Sequence, residues 1–214
     1  MTTDARPRSP IRLYAHGLSG HSHRVELFLG LLGLPFEKIE VDLVRGEQKK
    51  PEFQALNPFG QVPVIQDGEV TLPDSNAILT YLALRYDGSG RWLPRDPLGA
   101  AQVQRWLSVA AGPLAAGPAS ARVNVLFGRP QEARCIELAA LLFSRMEQHL
   151  ATRAWLVGDA PTIADLALYT YTSHAPEGGV SLAGLPALRE WLSRIEALPR
   201  FVGMTRRPAA EAAA

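Results

Sequence analysis

The strongest constraint on the fold is a change in the periodicity of apolar residues near residue 86. Before that point, strand-like runs and helical spacings follow one another in the order β-α-β-α-β-β-α. Beyond residue 98, every apolar pattern has the period of a helix. The segment between them, DGSGRWLPRDP, has no period and contains Gly, Ser and Pro, which is typical of a linker. The sequence therefore predicts an α+β domain over 1–86, a linker over 87–97, an all-helical domain over 98–205 and a tail over 206–214.

Local patterns place the individual elements. The predicted strands cover 11–15, 36–43, 62–66 and 70–72. The predicted helices cover 22–33, 47–56, 74–86, 98–112, 131–150, 162–173 and 186–198. Asp67-Gly68 predicts a tight hairpin turn, and Thr162 with Asp165 predicts a capping box with a structural role. Because a domain this small buries only about 60% of its surface by itself, we expect the two domains to pack together.

Charge and composition exclude several classes of function. The chain of 214 residues has 22 Lys and Arg against 21 Asp and Glu, so its net charge of +1 argues against a nucleic-acid or anionic-membrane partner. The longest apolar run, residues 27–36, is short of the roughly 20 residues of a membrane span. The start MTTDARPRSP lacks the apolar stretch of a secretory signal, so we expect a cytoplasmic protein. The single cysteine, Cys135, predicts a buried core thiol and excludes a CxxC pair.

Val62-Pro63 opens a predicted strand, where proline has no N–H to donate to the sheet. A cis bond there would turn the chain and leave the backbone groups of Val62 free to pair with an extended peptide. The alternative is a turn with a structural role only.

Asp74-Ser75 opens a predicted helix and has two interpretations. Both residue types satisfy free N–H groups at a helix start, which is a structural role. The same helix end would also attract a ligand carboxylate, while Asp74 would hold an ammonium group.

The segment SGHSHR, residues 19–24, lies between the first strand and the first helix. Ser22 is the expected N-cap, with Ser19 just before it at the positive end of the helix dipole. A thiol placed there would gain a hydrogen bond and a favourable field, which lower its pKa from about 8.5. A serine hydrolase is disfavoured because His21 occupies the position where the nucleophile elbow needs glycine. The pair His21 and His23 lacks further metal ligands, so no metal site is expected.

Four motifs together resemble the cytosolic glutathione transferases over nearly the whole chain. They are Leu13, Tyr14, Leu18 and Ser19 in the first strand and loop, NPFGQVPV at 57–64, DSNAI at 74–78 and PTIADL at 161–166. The resemblance is to the bacterial, serine-type members and to the related phi, theta and nu classes. It implies a thioredoxin-like N-terminal domain, a helical C-terminal domain, a homodimer and a role in detoxification.

The resemblance also implies roles for individual residues. Ser19 aligns with the catalytic serine, and His21 or Ser22 would support it. The glutathione-binding positions are Gln48 and Lys49 for the glycyl carboxylate, Val62 for the cysteinyl part, and Asp74 and Ser75 for the γ-glutamyl part. Gln61 and the cis-proline Pro63, on either side of Val62, complete the set. For Gln48 and Lys49, a solvated helix end remains the alternative. The second substrate would lie between the domains, against Leu18, Trp106, Ala110 and His174.

The implied activity is transfer of the glutathione thiolate to a small hydrophobic electrophile, with glutathione as co-substrate and no metal. Alternatives on the same fold are a glutathione-dependent disulfide reductase or peroxidase, a cysteine-type transferase, and a non-catalytic interaction protein. The lack of any cysteine near Ser19 argues against the cysteine-type enzyme.

Overall fold

The computed structural model describes residues 6–206. Its N-terminal half is built on a four-stranded sheet in the order β2-β1-β3-β4. The strands are β1 (Ile11–Ala15), β2 (Phe36–Glu40), β3 (Val64–Asp67) and β4 (Val70–Pro73). Strand β1 lies in the centre, parallel to β2 and antiparallel to β3, while β3 and β4 form the predicted hairpin. This mixed sheet with its helices has the thioredoxin-like arrangement that the sequence predicts.

Helices cover the sheet and complete the predicted order. They are α1 (Gly20–Leu32), a 3-10 helix (Glu47–Lys49), α2 (Pro51–Gln54) and α3 (Ser75–Tyr86). The largest differences from the predicted boundaries concern the second strand and the helix after it. The second strand ends at Glu40 because the chain then turns, with the Asp42 carboxylate accepting the Arg45 N–H. The predicted helix over 47–56 is divided at Lys50, whose extended backbone precedes Pro51.

The C-terminal half is helical. It contains α4 (Pro97–Val109), a π-helical segment (Ala110–Ala119), α5 (Ser120–Leu126), α6 (Ala133–Leu150), α7 (Ile163–Ser173), a second 3-10 helix (Ala175–Gly178) and α8 (Pro186–Glu196). No element is predicted for residues 113–130 from their sequence. The structure instead continues the helical path through Pro113 and Pro118, which lack the N–H of a regular α-helix and lie in the wider π-helical turns.

Helix α7 is the centre of this half, and every one of its residues is buried. The predicted capping box is present, since Thr162 and Asp165 satisfy each other's backbone N–H groups. Asp165 also accepts hydrogen bonds from the Leu156 N–H and the Trp191 indole, so one carboxylate joins α7, α8 and the preceding loop. Cys135 is buried on α6, as its place on an apolar face predicts.

The two halves pack through α1 and α7. His23 of α1 contacts the Thr170 hydroxyl at 2.9 Å and the Val202 carbonyl at 2.8 Å. Of the predicted tail, Arg206 donates to the Ser173 carbonyl, while 207–214 lie outside the described residues. Within residues 6–206, no helix has the length and apolar character needed to cross a bilayer.

Candidate active site

A cleft of about 640 Å³ opens beside the start of α1 and the start of α3. All the residues around it belong to the N-terminal half. They are Ser19, His21, Leu43, Gln48, Asn57, Phe59, Gly60, Gln61, Val62, Pro63, Pro73, Asp74 and Ser75. The cleft therefore brings together most of the residues that the sequence singles out, from segments separated by more than fifty positions.

Ser19 is the N-cap of α1. Its backbone is extended, and its Oγ accepts the N–H of Ser22 at 3.2 Å. Because this N–H donates to the hydroxyl oxygen, the Ser19 proton is available to a group in the cleft. The first turn of α1 has no acidic residue, so nothing there offsets the positive end of the helix dipole.

The structure corrects the prediction for Ser22, which is neither the N-cap nor part of the cleft. Its side chain is buried, and its Oγ accepts the backbone N–H of His16 at 3.3 Å. The physical reason is the register of the helix: α1 begins at Gly20, so the capping position falls on Ser19. Ser22 fixes the loop that leaves β1.

His21 lines the cleft next to Ser19. Its Nδ1 lies 3.3 Å from the Ser75 Oγ, and its ring packs edge-on against Tyr171 of α7. Burial, with a smaller contribution from the Arg24 charge, lowers the pKa of His21 to about 3. The imidazole is therefore neutral near pH 7 and contributes a hydrogen bond but no positive charge.

The Val62–Pro63 peptide bond is cis, as the sequence analysis considered. Strand β3 begins two residues after Val62, and among residues 6–206 no hydrogen bond reaches the Val62 backbone N–H or carbonyl. The side chain of Asn57 holds the preceding loop. Its Nδ2 donates to the Gln61 backbone carbonyl, and its Oδ1 accepts the Phe59 N–H. A pair of backbone groups therefore faces an open cleft on a fixed loop.

Asp74 and Ser75 form the start of α3. Asp74 is the N-cap, and its Oδ1 accepts the N–H groups of Asn76 and Ala77, both at 2.9 Å. The capping role predicted for this pair is therefore present. Both residues also line the cleft, so the structural role and a ligand-binding role are compatible.

The predicted pair for the glycyl carboxylate is divided by the structure. Gln48 lines the cleft, and its Oε1 is buried without a partner among the described residues. Lys49 is exposed and does not line the cleft, because the tight 3-10 turn directs neighbouring side chains apart. Gly60 packs so closely on this turn that a Cβ there would lie 2.8 Å from the Gln48 carbonyl oxygen.

None of the four residues predicted for the wall of a second-substrate site lines this cleft, and that wall remains a prediction. Trp106 is buried and donates its indole N–H to the Leu156 carbonyl. Ala110 is fully buried, and His174 is buried with its Nδ1 2.6 Å from the Glu177 carboxylate. These three side chains are buried in the helical half, at positions on α4, at the start of the π-helical segment and at the end of α7.

Leu18 is half-buried, and it is the backbone of this residue that makes the informative contact. Its carbonyl, which directly precedes Ser19 in the chain, accepts a hydrogen bond from the Nη1 of Arg122 at 2.8 Å. Arg122 is fully buried on α5 and forms an ion pair with Glu177 at 2.7 Å. The helical half thus holds the entry to α1 through a buried charge network.

Sequence reasoning assigned no role to Arg24, Asn57, Arg122 or Tyr171, which surround or support the cleft. Arg24 carries a signal in the sequence, because it lies one turn before Phe28 and thus on the apolar stripe of α1. Asn57 carries one too, since Asn before Pro often forms a local turn with its side chain. Arg122 and Tyr171 lie more than a hundred residues from Ser19 and give no local signal.

Comparison with known proteins agrees with this geometry. Family models describe residues 9–84 as a glutathione S-transferase N-terminal domain and residues 127–199 as a glutathione S-transferase C-terminal domain. Glutathione S-transferase 3 of Zea mays is 35% identical over 207 residues, covering 90% of this chain and 92% of that protein. The maleylacetoacetate isomerase of Rhizobium meliloti is 38% identical over 187 residues, covering 82% of this chain and 86% of that protein.

Solved structures give the same result. The crystal structure of a glutathione S-transferase from Pseudomonas fluorescens matches with a TM-score of 0.86 and 36% identity, covering 92% of this chain and 99% of that one. The family models cover both domains, and the relatives and the solved structure agree with them. The chain belongs to the glutathione S-transferase family.

Proposed function

We propose that this glutathione transferase binds glutathione along the cleft with its sulfur beside Ser19, and transfers the thiolate to a small hydrophobic electrophile. The sulfur lone pair forms a bond to an electrophilic carbon, and the leaving group departs with its electron pair. The thiol proton passes to solvent before the attack. No step requires a metal or a protein cysteine, and Cys135 lies buried in the helical half.

The observation that carries this proposal is the position of the Ser19 hydroxyl. It caps α1, lines the cleft and accepts a backbone N–H, which leaves its own proton for a ligand. A sulfur placed against it would receive a hydrogen bond and lie at the positive end of a helix of 13 residues. Both effects favour the thiolate over the thiol.

His21 supports this arrangement as a neutral group. Because burial lowers its pKa to about 3, it does not act as the base that removes the thiol proton near neutral pH. With Nδ1 near the Ser75 oxygen, its other ring nitrogen is available to the ligand. We assign it a hydrogen-bonding role secondary to that of Ser19.

The rest of glutathione would follow the lining of the cleft. The free backbone groups of Val62 suit the cysteinyl peptide unit, which would pair with them as an added strand does. The start of α3 suits the γ-glutamyl carboxylate, since helix N-termini attract anions. Gln48 and the side chain of Gln61 are left for the glycyl end.

Other features of the proposal concern the context of the enzyme. We propose a homodimer in the cytoplasm, with domain limits at 86 and 97. The end of α3 at Tyr86 and the start of α4 at Pro97 support those limits. The large exposed apolar side chains Val44, Phe59, Leu84 and Leu98 support an assembly that covers part of this surface.

A second candidate activity is isomerisation, because the Rhizobium meliloti relative is named a maleylacetoacetate isomerase. A thiolate that adds to an unsaturated carbon and then leaves would isomerise a substrate without net loss of glutathione. The same cleft and the same Ser19 would serve. The two activities are separated by measuring glutathione consumption with an aryl halide and with maleylacetoacetate.

The test is an ultraviolet titration of bound glutathione across pH, in the wild type and in Ser19→Ala. In the wild type we expect thiolate absorbance about two pH units below the ordinary thiol pKa of about 8.5. In Ser19→Ala we expect the apparent pKa to rise by at least about one unit and kcat/KM to fall about 100-fold. Ser193→Ala is the control, since Ser193 is an exposed serine of α8 that does not line the cleft.

Three results would contradict the proposal in different ways. An unchanged thiol pKa in Ser19→Ala would remove Ser19 from its role. Glutathione that binds only as the thiol would leave a binding protein without an activated nucleophile. Fast reduction of a mixed disulfide with slow conjugation would favour the reductase.

A further inference from the structure

Arg24 is a charged residue in an environment made almost entirely of neutral groups. It lies in the second turn of α1, has no exposed surface, and packs with its guanidinium 5.9 Å from the centre of the Tyr171 ring. Its Nη1 donates to the Asn76 Oδ1 at 2.9 Å and to the Ser75 Oγ at 3.3 Å. Both partners are uncharged and both belong to the first turn of α3.

The charge of Arg24 is therefore incompletely matched in the free protein. Its Nε and Nη2 are buried and lack a hydrogen-bond partner among residues 6–206. Burial lowers its pKa to about 10, so the side chain still carries its proton near neutral pH. Asp74 is a nearby carboxylate that raises this pKa, but its Oδ1 caps the backbone of α3. A buried cation of this kind is costly unless an anion accompanies it.

Ser75 connects this charge to the cleft. Because Arg24 donates to the Ser75 oxygen, the Ser75 proton must point to another acceptor. The available acceptors are the Nδ1 of His21, 3.3 Å away, and a ligand in the cleft that Ser75 lines. A ligand carboxylate at the start of α3 would accept a hydrogen bond from the Ser75 hydroxyl. Only the Ser75 side chain would then separate this carboxylate from the Arg24 guanidinium.

We propose that Arg24 is a positioning residue for carboxylate recognition: it orients Ser75 as a donor and supplies the buried positive charge that makes this end of the cleft select an anionic group over a neutral one. The inference rests on the proposed function, in which the γ-glutamyl end of glutathione lies at the start of α3. It adds the residue that determines the charge preference of that position, although this residue does not line the cleft.

The experiment measures the affinity of two unreactive ligands by calorimetry. One is S-methylglutathione, and the other is the same molecule with the α-carboxylate of its γ-glutamyl residue replaced by a carboxamide. The proteins are the wild type, Arg24→Met, Arg24→Lys and the control Arg12→Met, which removes an exposed arginine of β1 in the same half. The measured quantity is the ratio of the two dissociation constants in each protein.

We expect the wild type and Arg12→Met to prefer the carboxylate by about 30-fold. In Arg24→Met the preference should fall to about threefold or less, with little change in affinity for the carboxamide. Arg24→Lys keeps the charge without the planar pair of hydrogen bonds, so an intermediate ratio is expected.

A folded Arg24→Met protein that keeps the full preference would overturn the inference. If Arg24→Met does not fold, Arg24→Lys decides: an undiminished ratio overturns the inference, and a ratio reduced at least threefold supports it. If the wild type binds both ligands equally, only the role of Arg24 is refuted, and the proposed function stands. A wild type that binds neither ligand refutes the proposed function itself.

Discussion

Two pairs of polar side chains, one pair in each half of the molecule, stabilise their surroundings in opposite settings. In the N-terminal half, Ser19 and Asp74 cap helices at the edge of an open cleft. In the helical half, Arg122 and Asp165 are sealed in the interior and bonded to several partners each. The cleft is lined from the N-terminal half alone, yet the segment that carries Ser19 is held in place by the helical half. The half that lines the cleft and the half that holds the segment carrying Ser19 are thus different.

Several contacts between the halves fall on one short stretch of chain, residues 18–23. Arg122 holds the Leu18 carbonyl, Tyr171 packs on Gly20 and His21, and Thr170 contacts His23. Each of these contacts lies within five residues of Ser19. If the helical half positions Ser19, mutations in the helical half should alter the reactivity of the glutathione thiol. Mutations in the loops of the first half should alter only the affinity for glutathione.

The largest effect is expected for Arg122→Met. This change leaves Glu177 and His174 buried without the guanidinium and removes the bond to the Leu18 carbonyl. We expect a loss of about 3–5 kcal/mol in the free energy of unfolding, and a higher pKa of the bound thiol in the protein that remains folded. Urea denaturation and the ultraviolet titration measure these two quantities.

Arg134→Met is the matched control, because it breaks an exposed ion pair with Glu137. Its cost should be below about 1 kcal/mol. A similar cost for both variants would show that the buried network does not hold the two halves together.

Gly20→Ala tests the contact at the start of α1 directly. A Cβ at this position would lie 2.8 Å from the Tyr171 ring, so the ring or the helix must move. We expect a loss of about 1–3 kcal/mol in stability and a fall in kcat of about tenfold or more, with a smaller change in the KM for glutathione. In Gly17→Ala the added Cβ would meet no atom of another residue within 4 Å, its chain neighbours aside. We therefore expect stability and kcat near those of the wild type.

The contrast would fail if Gly17→Ala lowered kcat as much as Gly20→Ala. That result would assign the effect to the flexibility of the loop and not to the contact with the helical half.

His23 gives a pH-dependent test of the same interface. Burial lowers its pKa to about 4, whereas an unfolded histidine has a pKa of about 6.5. As the pH falls below 6.5, the unfolded chain takes up the proton first, so the folded state loses stability toward pH 4. His23→Gln should reduce the loss between pH 6.5 and 5 by about 1–2 kcal/mol.

Thermal melts across this pH range measure the effect. His16→Gln, at a half-buried histidine of the first half that contacts Glu40, serves as a control for the change of residue type. The prediction would be contradicted if the melting temperature of His23→Gln fell as steeply between pH 6.5 and 5 as that of the wild type.

The smallest effect is expected for Gly60→Ala, which lies in the first half and away from the interface. Gly60 and Gly68 both have a positive φ, near 60° and 57°, so alanine strains the backbone at each. Only at Gly60 would the new Cβ also meet the Gln48 carbonyl, at 2.8 Å. We expect a rise of about threefold to tenfold in the KM for glutathione in Gly60→Ala alone, with kcat nearly unchanged.

Steady-state kinetics of the two alanine variants side by side decide this prediction. A fall in kcat for Gly60→Ala would mean that the binding loop also affects the reactivity of the thiol, and the division between the halves would be less sharp.

Local features of the sequence predicted much of the fold. The alternation in β1 and the spacing in α1 were enough to place both, because burial on one face imposes a period. The motifs at 57–64 and 74–78 predicted the cleft through the family resemblance, because their local turn and capping chemistry by itself left a purely structural role open. The π-helical segment was missed because Pro113 and Pro118 normally end a helix.

The sequence by itself therefore determined the order of the elements and the helix caps at Asp74 and Thr162. Only the tertiary structure decided that Trp106 and His174 turn inward, that Arg24 lies behind Ser75, and that Arg122 reaches Leu18 across 104 positions. The physical reason is range. Periodicity and capping act within a few residues, whereas the partner of a buried charge is chosen by packing between segments that the sequence does not place side by side.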